Sequence, residues 1–105
     1  MRIIVLKQVE KELKEAPKEI KENIISLFQD LAQGKILSMP ISRSLYNIQK
    51  GLHELRLSSR AGEFRVFYFL KQNDSIYIIH AFLKKKQLID TRTSELLRKR
   101  IRSIL

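Results

Sequence analysis

Arg65 is the residue whose type and surroundings most directly suggest chemistry. It alternates with Phe67 and Phe69 in the segment Glu63–Lys71, which puts the three side chains on one face of a predicted strand. Because burying an unpaired guanidinium is energetically expensive, we expect Arg65 to reach a carboxylate, solvent or a bound anion. Two interpretations stay open: a cross-strand salt bridge with Glu54, or a contact with a phosphate on an open face of the sheet.

A second group of cations is predicted at one end of the same sheet. The run Lys84-Lys85-Lys86 ends one predicted strand, and Arg56 and Arg60 lie at the end of the preceding hairpin. Both strands flank the Glu63–Lys71 strand in a meander, so these cations can form a ring along one edge. Phosphate contacts of this kind provide most of the affinity for RNA and make it salt-dependent. A solvated lysine cluster without a ligand is the alternative.

Histidine chemistry offers a further pair of candidates. His53 and His80 have an intrinsic pKa suited to proton transfer near neutrality, but His80 lies in an apolar strand and is better interpreted as a core residue. His53 stays open between a structural and a functional role. With no cysteine and only two separated histidines, the sequence favours no metal site. It also has no phosphate-binding glycine loop, so any nuclease chemistry is expected to be metal-free.

Composition indicates a single basic domain. The chain has 105 residues, enough for one domain but not two, and a formal net charge of +10. The last 22 residues alone carry eight basic and two acidic side chains. A localised excess of this kind predicts a polyanionic partner. No apolar run is long enough for a signal sequence or a membrane span, so we expect a cytoplasmic location and no membrane partner.

Two helices are predicted to form a hairpin behind a short first strand. Ile3–Leu6 is apolar and β-branched, without helical periodicity. One helical pattern then runs to Pro17, where a second helix begins, and Gly34 is a plausible end. The second helix has one apolar stripe, formed by Ile20, Ile24, Leu27, Phe28 and Leu31. Residues 35–51 are expected to be irregular.

Three strands and a last helix follow, because the apolar period changes to two. The strands are Leu52–Leu57, Glu63–Lys71 and Ser75–Lys85, and the helix starts at about Asp90. The third strand is apolar on both faces, so we expect it to lie in the interior of the sheet. Strict alternation of side chains puts one set on one face, Ile76, Ile78, His80 and Phe82, and another set on the opposite face, Tyr77, Ile79, Ala81 and Leu83. The predicted class is α+β with the order β-α-α-β-β-β-α: an antiparallel sheet whose helices pack on one face, the other being partly open.

Three short blocks carry a resemblance to a known family. They are Gly51–Arg56 (GLHELR), Glu63–Tyr68 (EFRVFY) and His80–Lys85 (HAFLKK). Together they resemble the RelE/ParE toxin superfamily, and most closely its HigB-type, phage-derived branch. In motif the match covers roughly residues 51–87, and in element order it covers the whole chain.

The resemblance implies the toxin of a type II toxin–antitoxin pair, which a cognate antitoxin protein neutralises and which acts on mRNA in the ribosome. Such toxins cut the message without a metal or other cofactor, through attack of a 2′-hydroxyl on the neighbouring phosphate. By motif, Arg65 corresponds to the arginine at the scissile phosphate, and Lys84 or Lys85 to the basic residue after the last strand. By position only, Arg56, Arg60, Lys86 and His53 are expected to contact RNA or the ribosome.

Two departures from the family pattern leave other activities open. Residues 88–94 contain no tyrosine to stack on a base, and Lys86 occupies a position where threonine is usual. A ParE-like protein, which blocks DNA gyrase by binding, is the first alternative. A basic RNA-binding module without cleavage activity is the second.

Overall fold

A five-stranded sheet forms the centre of the computed structural model, which describes residues 1–71, 74–84 and 90–105. The strands lie in the order β1-β5-β4-β3-β2. Their bounds are β1 Arg2–Val5, β2 Ser42–Ser44, β3 Leu52–Ser59, β4 Gly62–Lys71 and β5 Ser75–Lys84. The predicted meander is confirmed, because β3, β4 and β5 pair in antiparallel succession. The predicted interior position of β5 is also confirmed, since it lies between β1 and β4.

The sheet is mixed, so the prediction of an antiparallel sheet was wrong for its first strand. β1 pairs parallel with β5, with Ile3 opposite Ile76. Parallel neighbours need a long crossover connection, and here the chain between them contains two helices and three strands. A pattern of apolar residues reveals that a strand exists, but not the direction in which it joins a sheet.

One strand was missed in the segment predicted to be irregular. β2 has three residues and pairs antiparallel with β3, with Ser42 opposite Leu55. Its sequence, Ser42-Arg43-Ser44, has no apolar residue and therefore no period to detect. Short polar strands of this kind are common at the edge of a sheet, where they discourage pairing with other chains.

Three helices complete the described part of the chain: α1 Lys7–Lys14, α2 Lys18–Ala32 and α3 Thr91–Arg102. The predicted hairpin is confirmed, with Pro17 as the N-cap of α2. Gly34, at φ +83°, follows α2 in the left-handed region that glycine adopts without strain. Asp90 caps α3 by accepting a hydrogen bond from the Thr93 amide, 2.8 Å away. Within the described ranges, no helix has the length and apolar character needed to cross a bilayer.

The helices pack on both faces of the sheet, which corrects the prediction of a single helical layer. The face under α1 and α2, here called the hairpin face, buries one apolar cluster that includes Ile20, Ile24, Leu55, Val66 and Tyr68. On the opposite face, here called the Arg65 face, Leu97 and Ile101 of α3 pack with Leu52, Phe67 and Phe69. The apolar stripe of α3 must be buried, and the hairpin already covers the other face.

A bulge in β5 changes the predicted alternation of its side chains. The register passes from Tyr68 opposite Ile78 to Phe67 opposite His80, which leaves Ile79 as an extra residue. His80 therefore lies on the Arg65 face with Phe67, not with Ile78 on the hairpin face. Ala81 and Leu83 join the hairpin cluster with Ile76 and Ile78. Strict period-two counting fails wherever one residue is inserted.

Candidate nucleic-acid interface

Arg65 is buried beside two carboxylates on its own face of the sheet. Its Nη1 lies 2.8 Å from Glu54 Oε1, and its Nη2 forms an ion pair with Glu63. Glu54 lies on β3, two residues before Arg56, and Arg56 is directly opposite Arg65 in the register of β3 and β4. The Arg65 side chain is 3% exposed. The cross-strand salt bridge that the sequence offered as one interpretation is therefore present in the structure.

The Glu54 carboxylate is fully buried and poorly satisfied. It is 0% exposed, and neither of its oxygens receives an aligned hydrogen bond from the residues that the structure describes. The Nε of Arg65 is equally unmatched. Most buried polar atoms in folded proteins have a hydrogen-bond partner. Glu54 is held in this position by its ion pairs with Arg65 and Arg43.

Four cations and two carboxylates make up the site, here called the charge cluster. Arg43 Nη2 lies 3.7 Å from Glu54 Oε1, and Arg56 Nε lies 3.7 Å from Glu63 Oε1. Lys84 lies opposite Glu63 in the β4–β5 register. The cluster thus consists of Arg43, Arg56, Arg65, Lys84, Glu54 and Glu63. Its excess of positive charge suits an anion.

Lys84 is buried at the edge of the cluster, with only 6% of its surface exposed. Burial and the positive charge of Arg65 hold the pKa of its ammonium below the usual value. An ammonium group destabilised in this way gives up its proton more readily. Lys84 is therefore suited to proton transfer as well as to charge stabilisation.

The cations predicted at one end of the sheet meet only in part within the described residues. Arg60 lies exposed in the β3–β4 turn. That turn touches the end of β5, because a Cβ built on Gly62 would lie 3.3 Å from the Lys84 carbonyl oxygen. Lys85 and Lys86 lie outside the described residues.

His53 lies apart from the charge cluster. Its ring stacks on Tyr68, 5.1 Å between centroids, and its Nδ1 is 3.2 Å from the Gly51 carbonyl oxygen. Tyr68 belongs to the hairpin face. Since adjacent strand residues point to opposite faces, His53 and Glu54 cannot share a site. The structure therefore separates His53 from Arg65, although both were grouped as candidate site residues.

His80 is part of a polar network that closes the outer edge of β5. Its Nδ1 lies 3.0 Å from Glu12 Oε1, and Arg100 binds both oxygens of Glu12 at 3.1 and 3.2 Å. The β5 backbone is satisfied by the same groups: the Ala81 amide donates to Glu12, and Arg100 donates to the Ile79 carbonyl oxygen. This structural role agrees with the core interpretation of His80. Sequence reasoning missed Glu12 and Arg100, which lie far apart in the chain and have no motif to connect them.

This network predicts that acidification destabilises the protein. Burial lowers the pKa of His80 below its ordinary 6.5. Burial alone would raise the pKa of Glu12, but hydrogen bonds from Arg100 and His80 outweigh it and keep the pKa below 4.5. When a group has a lower pKa in the folded state than in the unfolded state, its contribution to stability is fully present at pH values above the unfolded-state pKa. That contribution is lost as the pH falls through the folded-state pKa. Stability should therefore fall below pH 6.5 through His80, and below pH 4.5 through Glu12.

Urea denaturation at a series of pH values between about 7 and 5 tests the contribution of His80. The free energy of unfolding of the wild-type protein is expected to decrease as the pH falls, and His80→Gln should flatten that decrease. His53→Gln, which lies outside this network, is the matched control for loss of a histidine. An identical slope in His80→Gln would contradict the assignment.

An apolar groove runs along the outer surface of the helical hairpin, between α1 and α2. It has a volume of about 290 Å³. Its lining consists of Leu13, Ile24, Ile25, Phe28, Lys14 and Lys21. Ile25 is 59% exposed there. The two ionisable residues of the lining are both cations. Across the described ranges, no three His, Asp or Glu side chains come together as a metal site.

Comparisons with known proteins identify a family and a fold. Residues 11–102 match the sequence model of the family described as "Phage derived protein Gp49-like (DUF891)". No curated protein sequence matches the chain. Among solved structures, the isolated E. coli RelE toxin matches with a TM-score of 0.51 at 12% identity, covering 99% of this chain and 98% of that one.

Two further E. coli structures give similar values. A mutant RelE toxin in the free state matches with a TM-score of 0.52 at 14% identity, covering 99% of this chain and 97% of that one. The intact RelBE toxin–antitoxin complex matches with a TM-score of 0.50 at 11% identity, covering 81% of this chain and 98% of the matched chain. At these identities the structural similarity establishes the fold.

Proposed function

Because the chain belongs to the Gp49-like family of phage-derived proteins and has the RelE fold, we propose that it is the toxin of a type II toxin–antitoxin pair. We propose further that it cleaves mRNA on the ribosome by a metal-independent mechanism. The observation that carries this proposal is the charge cluster around Arg65. It combines a buried guanidinium, a buried lysine with a lowered pKa and two carboxylates on one face of the sheet.

The proposed reaction uses the 2′-hydroxyl of the message as the nucleophile. Its oxygen attacks the adjacent phosphorus, and the bond from phosphorus to the 5′ oxygen of the next nucleotide breaks. A basic side chain of the charge cluster takes the 2′-hydroxyl proton. Lys84 gives a proton to the leaving 5′ oxygen. The products are a 2′,3′-cyclic phosphate and a 5′-hydroxyl.

Arg65 stabilises the charge that builds up on the phosphorane. Its planar guanidinium can give two parallel hydrogen bonds to non-bridging phosphate oxygens. The ion pair with Glu54 fixes the position of this guanidinium. Lys85 is retained as an alternative to Lys84, on the grounds of sequence alone.

Arg56, Arg60 and Lys86 are proposed to contact neighbouring phosphates of the message or of ribosomal RNA. Arg56 belongs to the charge cluster and pairs with Arg65 in the strand register, and Arg60 is exposed in the β3–β4 turn. Contacts of this type add affinity that falls as the salt concentration rises. His53 is left out of this surface, because it lies on the hairpin face.

The proposed antitoxin docks an amphipathic, acidic helix into the groove between α1 and α2. An apolar helix face would fill the space lined by Leu13, Ile24, Ile25 and Phe28, in the manner of helix-in-groove recognition. Lys14 and Lys21 at the same groove favour carboxylates on the incoming helix. The solved RelBE complex is a toxin–antitoxin assembly on the same fold, which supports a protein partner of this class.

Primer extension in a cell-free translation reaction tests the nuclease proposal. Addition of the purified protein is expected to give new 5′ ends within the message, and omission of ribosomes should abolish them. The new ends should carry a 5′-hydroxyl and therefore resist ligation until they are phosphorylated. An intact message would contradict the proposal. A supercoiling assay with gyrase would then test the ParE-like alternative.

A further inference from the structure

Glu63 covers the guanidinium on which the proposed function depends. Arg65 makes ion pairs with Glu54 and Glu63 and is almost inaccessible. In this arrangement a phosphate oxygen cannot reach Nη2, because the Glu63 carboxylate already occupies that position. Binding of RNA at Arg65 therefore requires one of the two carboxylates to move.

The two carboxylates differ in how easily they can move. Glu54 is 0% exposed and lies in the interior of β3, so displacing it would strand a charge away from water. Glu63 is 31% exposed and lies one residue after Gly62, beside the hairpin turn. When the Glu63 side chain turns toward solvent, its carboxylate is hydrated again. The free-energy cost of breaking its ion pair with Arg65 is therefore small.

The position that Glu63 would vacate remains surrounded by cations. Besides Arg65, Arg56 Nε lies 3.7 Å from the Glu63 carboxylate, and Lys84 is opposite Glu63 in the strand register. A carboxylate and a phosphate present similar pairs of anionic oxygens to a guanidinium. The same three cations can thus bind either group.

We propose that Glu63 is an internal competitor of the RNA phosphate, occupying the phosphate position at Arg65 and Arg56 in the free protein and giving way to the RNA backbone on binding. This inference rests on the proposed function, since it concerns the same site. It adds a regulatory role: the free toxin keeps its reactive arginine shielded from solvent anions. It also explains how a residue needed for RNA contact can be buried in the free protein.

Binding of a 2′-O-methyl RNA oligonucleotide labelled with fluorescein tests the proposal by fluorescence anisotropy at one fixed ionic strength. This RNA lacks the attacking hydroxyl and therefore stays intact. Glu63→Gln is expected to bind it about ten-fold more tightly than the wild-type protein, the gain expected when one charged competitor of a charge-assisted pair is removed. Glu22→Gln, an exposed change on α2 with the same effect on net charge, should bind within about two-fold of wild type.

A second measurement follows the arginine itself. In a titration with the same RNA, the Nε–H resonance of Arg65, assigned by its absence from Arg65→Lys, should shift in parallel with the anisotropy. Glu63→Ser serves as a second variant in case glutamine retains the closed position, and thermal melting confirms that both variants are folded. Equal affinities for wild type and both folded variants, or an Arg65 resonance that stays fixed throughout, would overturn the proposal.

The two proposals can fail separately. If Glu63→Gln gains affinity while translated message stays intact, the competitor role is supported and the nuclease proposal fails. If ribosome-dependent cleavage occurs but the Glu63 variants bind like Glu22→Gln, the competitor role is overturned and the nuclease proposal stands.

Discussion

Replacement of Arg65 by alanine is expected to lower the rate of RNA cleavage by about 10²–10³-fold, the loss typical of removing one preorganised donor to a developing charge. The same change should destabilise the protein by about 3–5 kcal/mol, because it leaves the buried Glu54 carboxylate without its 2.8 Å partner. The loss of stability follows from the burial of this ion pair, which the structure shows.

A paired substitution separates the loss of chemistry from the loss of stability. Glu54→Gln with Arg65→Gln removes both buried charges at once, so it should be clearly more stable than Arg65→Ala while remaining inactive. Urea denaturation measures the first quantity, and primer extension in the translation reaction measures the second.

Arg2→Ala is the matched control for loss of an arginine, since Arg2 is exposed on β1 at the far edge of the sheet. It should change neither stability nor cleavage appreciably. A folded double variant that still cleaves the message at the wild-type rate would show that the charge cluster is not the catalytic site.

Substitution of Ile25 by glutamate is expected to weaken binding of the antitoxin by about 100-fold, within the range of interface hot spots. The change puts a carboxylate into the apolar groove, where it loses hydration and repels the acidic helix proposed to bind there. Because Ile25 is largely exposed in the free protein, the free energy of unfolding should change by less than about 0.5 kcal/mol. Cleavage activity should be retained.

Isothermal titration calorimetry measures this effect, with the purified product of the adjacent gene as the proposed antitoxin. Co-expression gives an independent readout, since the variant should escape neutralisation and arrest growth. Ile36→Glu is the control, because Ile36 is 95% exposed and lies outside the groove. If Ile25→Glu binds the partner as tightly as Ile36→Glu does, the antitoxin docks elsewhere, with the charge cluster as the next surface to test.

The spacing of apolar residues along the chain predicted most of the secondary structure. The apolar stripe of α2 and the alternating residues of β3 and β4 identified a helical hairpin and a meander, because each pattern depends on neighbours three, four or two positions away. Ser42–Ser44 has no such pattern, so β2 could be found only from its pairing with β3. The bulge at Ile79 was also hidden, because it depends on the register with β4 rather than on residues nearby in the chain.

The candidate site divides in the same way. Arg65, Arg56 and Lys84 were identified from residue type and strand position, and the structure does place them around one cluster. The sequence left open whether Arg65 faces a carboxylate or an open surface. In the structure, Arg65 faces two carboxylates, those of Glu54 and Glu63. His53 lies on the opposite face of the sheet.

By itself, the sequence determined the helices, the meander and the excess of basic residues, and it singled out Arg65 as a candidate site residue. These features follow from local periodicity and composition. The tertiary structure alone decided the parallel pairing of β1, the burial of Arg65, the partnership of Glu12 with Arg100 and the exposed groove on the hairpin. The physical reason is that burial, register and ion pairing depend on groups brought together across the fold. Their energies are fixed by distance and desolvation, which residue spacing along the chain does not specify.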